Sequence, residues 1–265
     1  MARGDAARRQ DLIAAEVQIE GRHPVLEALR AGRPIRKLLV VHGTGSGGTM
    51  QALIGLARRR GVPIQEVDPA VLGRLARTRA PQGVLAYAAA HQTTDLDDIL
   101  DRCRGRREAP FLLMLDGVED PGNLGAIIRS AEGAGVHGVV IRKHRAAGLT
   151  PAVAAASAGA LEYLPVAQVS NIAMTMDRLK AAGLWVIGAD ADARETLYDV
   201  SLAPPLALVV GGEGRGLSRL VRERCDRLVR IPLHGQTASL NASVAAAIVL
   251  FEVRRQMRAV GEAAR

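Results

Sequence analysis

The stretch Leu206–Gly216 reads Leu-Ala-Leu-Val-Val-Gly-Gly-Glu-Gly-Arg-Gly, an apolar run that leads directly into a glycine loop carrying one carboxylate, Glu213. An apolar run followed by glycines predicts a buried strand and a tight loop. Two further segments, Asp116–Gly125 and Ile231–Asn241, also follow predicted strands. Ligands of parallel α/β sheets bind beyond the carboxyl ends of the strands, so we expect these three segments to form one composite site.

From Phe111 onward the chain alternates apolar strands with helices. Alternation of this kind predicts an α/β fold with a mainly parallel sheet and helices on its faces. The predicted strands are Phe111–Leu115, Gly138–Ile141, Tyr163–Val166, Leu184–Ala189, Leu206–Val210 and Leu228–Ile231.

A smaller α/β unit comes first, in which short helices and strands also alternate. The charged stretch that follows it contains the basic run Arg102–Arg107 and predicts a linker. The first residues of the chain are rich in arginine and predict a basic arm without regular structure. The predicted division is an arm at 1–17, a first domain at 18–92, a linker at 93–109, a second domain at 110–258 and a tail at 259–265.

The chain is strongly basic, with 35 lysines and arginines against 27 aspartates and glutamates, a net charge of +8 and a pI near 10.4. An excess of positive charge favours a polyanionic partner, and the forked guanidinium of arginine suits phosphate recognition. Aromatic residues make up only 2% of the chain, so base stacking along a single strand is not expected to dominate.

The sequence indicates neither a membrane protein nor a metalloprotein. No apolar run is long enough to cross a bilayer and no signal-peptide segment follows Met1, so we expect a cytoplasmic protein without membrane contact. Cys103 and Cys225 lie far apart, without a Cys or His at ligand spacing, and are expected to be reduced thiols. The histidines show no spacing typical of a metal site or a triad, and no metal is expected.

The loop Gly43–Gly48 matches the G-x-G-x-x-G pattern of dinucleotide-binding proteins, with Glu66 and Asp68 about 20 residues further on. An NAD-dependent enzyme is therefore one alternative. The strand before this loop does not begin a large sheet, however, and the unit is short for a full dinucleotide-binding domain. A surface loop is the favoured interpretation.

Asp120-Pro-Gly-Asn123 has turn composition, and either Asp120 or Asn123 can cap the helix that follows. Arg129 lies among apolar residues of that helix; a partly buried Arg129 would need a carboxylate partner, for which Glu213 is the candidate. The alternative is an exposed arginine on the polar face of the helix. Ser239 precedes the last predicted helix and is a natural N-cap.

The three segments resemble the three motifs of the SpoU/TrmH family of RNA ribose 2′-O-methyltransferases. Asp116–Ala131 is similar to D-x-x-x-D-P-x-N-x-G-x-x-x-R-x-A, the glycine loop to G-x-E-x-x-G, and Ile231–Ala245 to I-P-x-x-G-x-x-x-S-L-N-x-S-x-A. Upstream, Ile19–Leu29 and Pro81–Val84 resemble the N-terminal RNA-recognition domain of the family. The resemblance covers nearly the whole chain beyond the arm and is closest to the RlmB-type branch, which modifies a guanosine of 23S ribosomal RNA.

This resemblance implies a SPOUT α/β domain with a parallel sheet and a deep C-terminal trefoil knot, together with the smaller N-terminal α/β domain. It implies S-adenosylmethionine as methyl donor, held in the knot largely by main-chain groups. It also implies a homodimer that pairs through the knotted domain and completes the site across the interface. The implied cofactor-binding positions are Gly211, Gly212, Ile231, Leu233, Ser239 and Leu240.

By the same resemblance, Arg129 acts on the ribose 2′-hydroxyl, either as a base or by orienting it, and guanidinium groups rarely lose their proton. Glu213 would hold Arg129. The ribose and the methyl donor would be positioned by Asn123, Ser239 and Asn241. The expected RNA contacts are Arg22, Arg36, Arg77, Arg79 and Gln82.

The chain departs from the family pattern at Pro81, where a histidine often precedes the Gln-Gly pair, so the motifs constrain the RNA target less than the reaction. A transfer-RNA or thiostrepton-resistance methyltransferase would use the same motifs. A noncatalytic RNA-binding or ribosome-assembly protein would keep the same fold, but it has no need for the full set of polar motif residues.

Overall fold

The structure is a computed structural model that describes residues 16–44, 47–78, 80–144 and 146–263. The chain divides into two compact units: one contains the residues up to Gln92 together with Leu149–Glu162, and the other contains Thr93–Gly148 and the chain from Tyr163 onward. Most of the predicted arm, residues 1–15, lies outside the described residues. No helix in the described part of the chain is both long enough and apolar enough to cross a membrane.

The first unit contains a four-stranded sheet flanked by short helices. Its elements are β1 (Glu16–Glu20), α1 (Arg22–Arg30), β2 (Ile35–Val41), α2 (Gly48–Arg59), β3 (Ile64–Val67), α3 (Pro69–Leu75) and β4 (Val84–Ala89). The strand order is β1-β4-β2-β3, in which β4 is antiparallel to both neighbours and β2 is parallel to β3. Apolar side chains of α1 and α2 pack with alternate residues of the strands to form the core.

This mixed sheet bears on the glycine pattern at Gly43–Gly48. The dinucleotide-binding fold places that pattern in a largely parallel sheet, whereas β2 has only one parallel neighbour here. The Glu66 carboxylate also lies 2.8 Å from His42 Nδ1. The topology therefore favours the surface-loop interpretation, although residues 45 and 46 of the loop lie outside the described residues.

The second unit contains a seven-stranded sheet. Its elements are α4 (Leu96–Arg106), β5 (Phe111–Asp116), α5 (Pro121–Gly133), β6 (Gly138–Arg142), β7 (Val166–Val169), α7 (Ile172–Ala181), β8 (Trp185–Ala189), β9 (Glu195–Thr196), β10 (Leu206–Gly211), α8 (Arg219–Arg224), β11 (Arg227–Arg230) and α9 (Ala242–Ala263); helix α6 (Pro151–Ala156) belongs to the first unit. The strand order is β7-β6-β5-β10-β8-β11-β9, and every pair is parallel. The predicted parallel α/β sheet is confirmed, while the trefoil knot stays a prediction.

Both faces of this sheet are covered by helices, so its central strands are apolar throughout. All six residues of β5 and of β10 are buried. Helices α4, α7 and α8 pack with one set of alternating strand residues to form a single core. Helix α9 contacts both α5 and β10. Strands buried on two faces have the continuous apolar sequences from which they were predicted.

The predicted linker at 93–109 is corrected by helix α4. Its buried residues Leu96, Ile99, Leu100 and Cys103 have the spacing of one helical face, and the first three join the core of the second unit. The charged residues of this stretch occupy the opposite face of the helix. The predicted tail at 259–265 is also mostly helical, since α9 continues to Ala263.

The third strand of the second unit begins later than predicted. The expected strand was Tyr163–Val166, whereas β7 spans Val166–Val169. Pro165 has no N–H group to donate to a neighbouring strand, and only its carbonyl pairs, accepting from Val139 N at 3.0 Å. The ladder with β6 therefore starts after the proline.

Candidate functional site

The three segments singled out in the sequence leave the parallel sheet at one edge. Gly211, which ends β10, lies in register with Asp116, which ends β5. Strand β11 lies on the other side of β8 from β10. Because these strands are parallel, the segments that follow them emerge from the same, carboxyl edge of the sheet.

A chain of side-chain hydrogen bonds joins these segments. The Asn123 amide donates from Nδ2 to Glu213 Oε1, and its Oδ1 accepts from Asn241 Nδ2 at 3.0 Å. Asn123 is half-buried, whereas Glu213 and Asn241 are exposed. The structure therefore brings together one predicted polar residue from each of the three segments.

The donor and acceptor roles in these side-chain hydrogen bonds are fixed by the contacts of Asn241. Asn241 Oδ1 accepts from Ser243 N at 2.8 Å and from Ser243 Oγ at 2.6 Å. A backbone N–H can only donate, so the oxygen of the Asn241 amide must face it and the nitrogen must face Asn123. The Asn123 amide nitrogen then points to Glu213.

Helix α5 is capped by Asp120, which settles the two alternatives left by the sequence. Asp120 Oδ1 accepts from Asn123 N at 2.7 Å, and Pro121 occupies the first turn, where its missing N–H costs nothing. Gly135 follows the helix with φ of +71°, as expected for a residue that closes it. Because Asp120 caps the helix, the Asn123 side chain is available to bind Glu213 and Asn241.

Helix α9 begins at Ala242, and the residue that caps it is Asn241 rather than Ser239. The Asn241 side chain binds Ser243 N, and its carbonyl accepts from Ala245 N at 2.9 Å. The predicted N-cap role of Ser239 is therefore corrected to Asn241, which combines capping with its contact to Asn123. Ser239 itself is exposed in the segment before the helix.

The glycine loop passes close to other backbone segments. A Cβ atom on Gly212 would lie 2.0 Å from Gly117 O, and one on Gly211 would lie 2.1 Å from the carbonyl carbon of Gly216. Gly214 and Gly216 have φ of +74° and +60°. Backbone contacts this close require glycine at the first two positions, and left-handed φ values favour it at the others.

Arg129 does not form the expected ion pair with Glu213. Its side chain is exposed, and it makes no hydrogen bond or ion pair with any other described residue. Asn123 lies six residues earlier in α5, which places Arg129 about 9 Å further along the helix and on a different face. Glu213 meets Asn123 instead, and the alternative of an exposed arginine describes this chain.

The main-chain groups between β11 and α9 are a candidate for binding a ligand. In the described part of the chain, residues 231–240 make no internal hydrogen bond with either main-chain or side-chain atoms. Ile231 and Leu240 are half-buried and Leu233 is 37% exposed. Free N–H and C=O groups can bind the polar groups of a ligand, and the partly exposed apolar side chains beside them can contact an apolar ring of the same ligand.

Two residues without a predicted role also lie at this edge. Asp116 is buried, and its Oδ2 accepts from Ser218 N at 2.8 Å while its Oδ1 lies 3.0 Å from Arg142 Nη2. The sequence signal for Asp116 is a carboxylate that ends a fully apolar strand. For Arg142, which ends β6, the sequence gives no comparable signal.

The predicted RNA contacts do not all cluster. Arg22 N donates to Gln82 Oε1 at 2.9 Å and Arg22 Nε donates to Gln82 O at 3.1 Å. Arg77 lies near the same edge, since its N–H donates to Glu20 at the end of β1. Arg36 lies at the start of β2, near the opposite end of the sheet, where it pairs with Glu16. Arg79 lies outside the described residues.

A single carboxylate orders the loop that carries Arg77. Glu20 accepts from Arg77 N at 2.7 Å, from Thr78 N at 3.0 Å and from Thr78 Oγ1 at 2.5 Å. Burial raises the pKa of the Glu20 carboxyl, but the bonds from Thr78 and Arg77 outweigh it, so the pKa lies below its ordinary value. The main chain at Arg77 is therefore held while its side chain is exposed.

The two cysteines are unsuited to thiolate chemistry. Burial raises the pKa of the Cys225 thiol to about 12, and burial likewise raises the pKa of Cys103. Both thiols are therefore protonated near neutral pH. Among the described residues, no group of three or more His, Cys, Asp or Glu side chains is arranged to hold a metal ion.

Comparison with known proteins gives matches over both units. Residues 110–251 match the SpoU rRNA Methylase family, and residues 18–94 match the family described as RNA 2′-O ribose methyltransferase substrate binding. A Bacillus subtilis (strain 168) protein named as a TrmH family tRNA/rRNA methyltransferase, YacO, is 46% identical over 242 residues, which cover 91% of this chain and 96% of that protein.

Two solved structures show the same similarity. The SpoU methyltransferase AviRb from Streptomyces viridochromogenes, in complex with the cofactor AdoMet, superposes with a TM-score of 0.78 at 30% identity, covering 95% of this chain and 94% of that chain. The AdoMet-bound rRNA methyltransferase from Sinorhizobium meliloti gives a TM-score of 0.76 at 26% identity, covering 94% and 91%.

Proposed function

Because the chain belongs to the SpoU family of RNA methyltransferases, we propose that it transfers a methyl group to the 2′-hydroxyl of a ribose in RNA. S-adenosylmethionine is the methyl donor. The proposal rests on the hydrogen bonds that join Asn123, Glu213 and Asn241 at the carboxyl edge of the sheet. A segment with free main-chain groups lies beside them.

The methyl donor would be held by Gly211, Gly212 and the segment 231–240, with Ile231, Leu233, Ser239 and Leu240 as the contacting residues. The close backbone approach at both glycines leaves no room for side chains, and the unpaired groups of the segment can bind the polar atoms of the donor. When bound, S-adenosylmethionine supplies a methyl group attached to a positively charged sulfur. The Glu213 carboxylate provides negative charge at the same edge.

Arg129 would orient the ribose hydroxyl. Its guanidinium is exposed and unpaired among the described residues, so it is free to bind a phosphate or a hydroxyl oxygen. Alignment of the hydroxyl with the methyl group supplies much of the acceleration expected for such a transfer. A positioning role needs no loss of the guanidinium proton, which makes it the simpler of the two roles implied by the resemblance.

We also propose that the protein acts as a homodimer through the second unit. On α9, Val244 and Phe251 are 47% and 50% exposed, and their spacing of two helical turns puts them on one face. An exposed apolar face on a helix suits close packing against a second copy. Since Arg129 has no partner in the described part of one chain, completion of the site by a second chain is consistent with its exposure.

The proposed substrate is a guanosine of 23S ribosomal RNA, as in the RlmB-type branch. Support comes from the net charge of +8, from the match of the first unit to a substrate-binding family, and from the edge that carries Arg22, Arg77 and Gln82. Transfer RNA is the second candidate, because relatives of this chain are named as tRNA/rRNA methyltransferases. A noncatalytic RNA-binding role is disfavoured, since it would not require the bonded set of Asn123, Glu213 and Asn241.

Substitution of Arg129 tests the proposal. Arg129→Ala should lower the rate of methyl transfer to RNA by about 100-fold or more and leave S-adenosylmethionine binding nearly unchanged. The matched control is Arg104→Ala, which removes another exposed arginine, paired among the described residues with Asp101 on α4. Methyl transfer by Arg129→Ala at the rate of Arg104→Ala would contradict the assigned role.

A further inference from the structure

Asp116 combines a buried charge with contacts to the glycine loop. Asp116 and Glu252 are buried acidic residues, with exposed fractions of 4% and 7%. A buried carboxylate is unfavourable unless a counter-charge and hydrogen-bond donors compensate for lost hydration. The groups that compensate for Asp116 therefore indicate what it does.

The contacts of Asp116 bracket the glycine loop. Its main-chain carbonyl accepts from Gly212 N at 3.0 Å, at the start of the loop, and its Oδ2 accepts from Ser218 N at 2.8 Å, just after the loop. Between these points, Gly216 N donates to Gly212 O at 3.1 Å. One residue thus fixes both ends of the segment that carries Glu213.

Arg142 supplies the counter-charge at a cost. Its Nη2 lies 3.0 Å from Asp116 Oδ1, but its Nε is buried and has no acceptor among the described residues. A buried donor without an acceptor is unfavourable by about 1–3 kcal/mol. The counter-charge of Asp116 therefore comes from β6, whereas its hydrogen bonds go to the glycine loop and to Ser218 just after it.

We propose that Asp116 is a positioning residue, which holds the glycine loop in the shape that binds the methyl donor, with Arg142 neutralising its charge. The inference rests on the proposed function in one respect, namely that Gly211 and Gly212 bind S-adenosylmethionine. Glycines 214 and 216 give the loop many alternative backbone conformations, and the two bonds to Asp116 select one of them before the ligand arrives.

Two pairs of variants separate this role from general stability. Ser218→Pro removes the N–H that Asp116 accepts, and the φ of −63° at Ser218 is the value that proline requires. Ser218→Ala is its control, because it keeps the N–H and removes a hydroxyl that makes no cap bond. Asp116→Asn removes the buried charge, and Glu252→Gln does the same at a second buried acid, which pairs with Arg255 on α9.

The readouts are S-adenosylmethionine affinity by calorimetry and amide hydrogen exchange of a peptide covering residues 206–220. Ser218→Pro and Asp116→Asn should each weaken the affinity by about tenfold, as expected for loss of one hydrogen bond to a charged group, and should speed exchange in this peptide. Ser218→Ala and Glu252→Gln should keep the wild-type affinity and exchange, even where Glu252→Gln lowers the melting temperature.

The results separate the role of Asp116 in the loop from the proposed methyl transfer to RNA. Wild-type affinity and exchange in both Ser218→Pro and Asp116→Asn would overturn the role of Asp116, whatever the protein methylates. A folded wild-type protein that shows the predicted pattern of affinities, yet methylates no ribose, would support the role of Asp116 and contradict only the proposed function. If Asp116→Asn does not fold, the comparison of Ser218→Pro with Ser218→Ala decides alone.

Discussion

At the scale of single residues, an amide at position 123 can accept one hydrogen bond and donate another, which neither a carboxylate nor an aliphatic side chain can do. Asn123 uses both abilities, accepting from Asn241 and donating to Glu213. The main chain of Asn123 is capped separately by Asp120. Substitution of its side chain therefore perturbs the site with little effect on the start of helix α5.

Asn123→Asp should disable the site while preserving the helix. The new carboxylate would face the carboxylate of Glu213, and like charges in contact repel. We expect methyl transfer to fall by about 100-fold, measured with S-adenosylmethionine and RNA. The control is Asn171→Asp, at the N-cap of α7, where asparagine and aspartate are equally suited. Equal activity of the two variants would contradict the account of Asn123.

The sequence predicted which residues matter at this edge better than it predicted their partners. Asn123, Glu213 and Asn241 were expected in one site because each follows an apolar strand. The pairing of Arg129 with Glu213 was expected because an arginine among apolar residues suggested burial. The structure exposes Arg129, because positions 123 and 129 lie on different faces of α5 and the local pattern does not show which face meets the core.

At the scale of elements, the loop after β10 depends on the absence of side chains at two positions. The nearest atoms to a Cβ on Gly211 or Gly212 are backbone atoms of Gly216 and Gly117. Backbone atoms in a packed sheet cannot move aside as a flexible side chain can. Gly214 differs, because a Cβ there would meet nothing within 4 Å.

Gly212→Ala should therefore be far more harmful than Gly214→Ala. The first forces a Cβ to within 2.0 Å of Gly117 O and should lower the free energy of unfolding by about 3 kcal/mol. The second retains space, and its φ of +74° should lower the free energy of unfolding by only about 1 kcal/mol. Urea denaturation of both variants measures the difference, and equal losses would show that the close approach at Gly212 is not a constraint.

The sequence predicted a strand or helix correctly where a single pattern of apolar residues dominated the segment. Strands such as Phe111–Asp116 were found because burial on both faces makes them apolar throughout. Helix α4 was missed because it contains more charged residues than apolar ones, although Leu96, Ile99 and Leu100 have helical spacing. The order of the strands depends on long-range pairing, about which local patterns carry no information.

At the scale of the whole molecule, the segment Leu149–Glu162 belongs to the first unit although it follows β6 in the sequence. Arg33 Nη1 lies 2.9 Å from Glu162 Oε1, and the two side chains are only 7% and 8% exposed. Arg33 also donates to Ala89 O, and His91 Nε2 lies 3.3 Å from Glu162 Oε1. A buried ion pair thus anchors the end of this segment within the first unit.

The pair should make stability depend on pH. Burial raises the pKa of the Glu162 carboxyl, but contacts with His91 and Arg33 outweigh it, so the pKa lies below the ordinary value of 4.5. A lowered carboxyl pKa stabilises the folded state above the ordinary value, and this contribution is lost as the pH falls through the folded pKa. Glu162→Gln should therefore lower the free energy of unfolding by about 3 kcal/mol at neutral pH.

Urea denaturation at neutral pH and at about pH 3 measures this effect, because the wild-type carboxyl approaches its protonated form in acid and the variant then loses its disadvantage. Glu66→Gln is the control, since Glu66 is 62% exposed in its pair with His42 and should contribute little at either pH. A destabilisation of Glu162→Gln that does not change with pH would contradict the account of the buried pair.

The activity proposed for this chain is methylation of a ribose hydroxyl in RNA. The most direct test transfers labelled methyl groups from S-adenosylmethionine to unmethylated large-subunit ribosomal RNA and to bulk transfer RNA, followed by alkaline hydrolysis. A 2′-O-methyl group blocks the attack of the 2′-oxygen on the adjacent phosphate, so we expect the label in an alkali-resistant dinucleotide containing guanosine, from the ribosomal RNA. Label released as mononucleotides, or no transfer to either RNA despite cofactor binding, would contradict the claim.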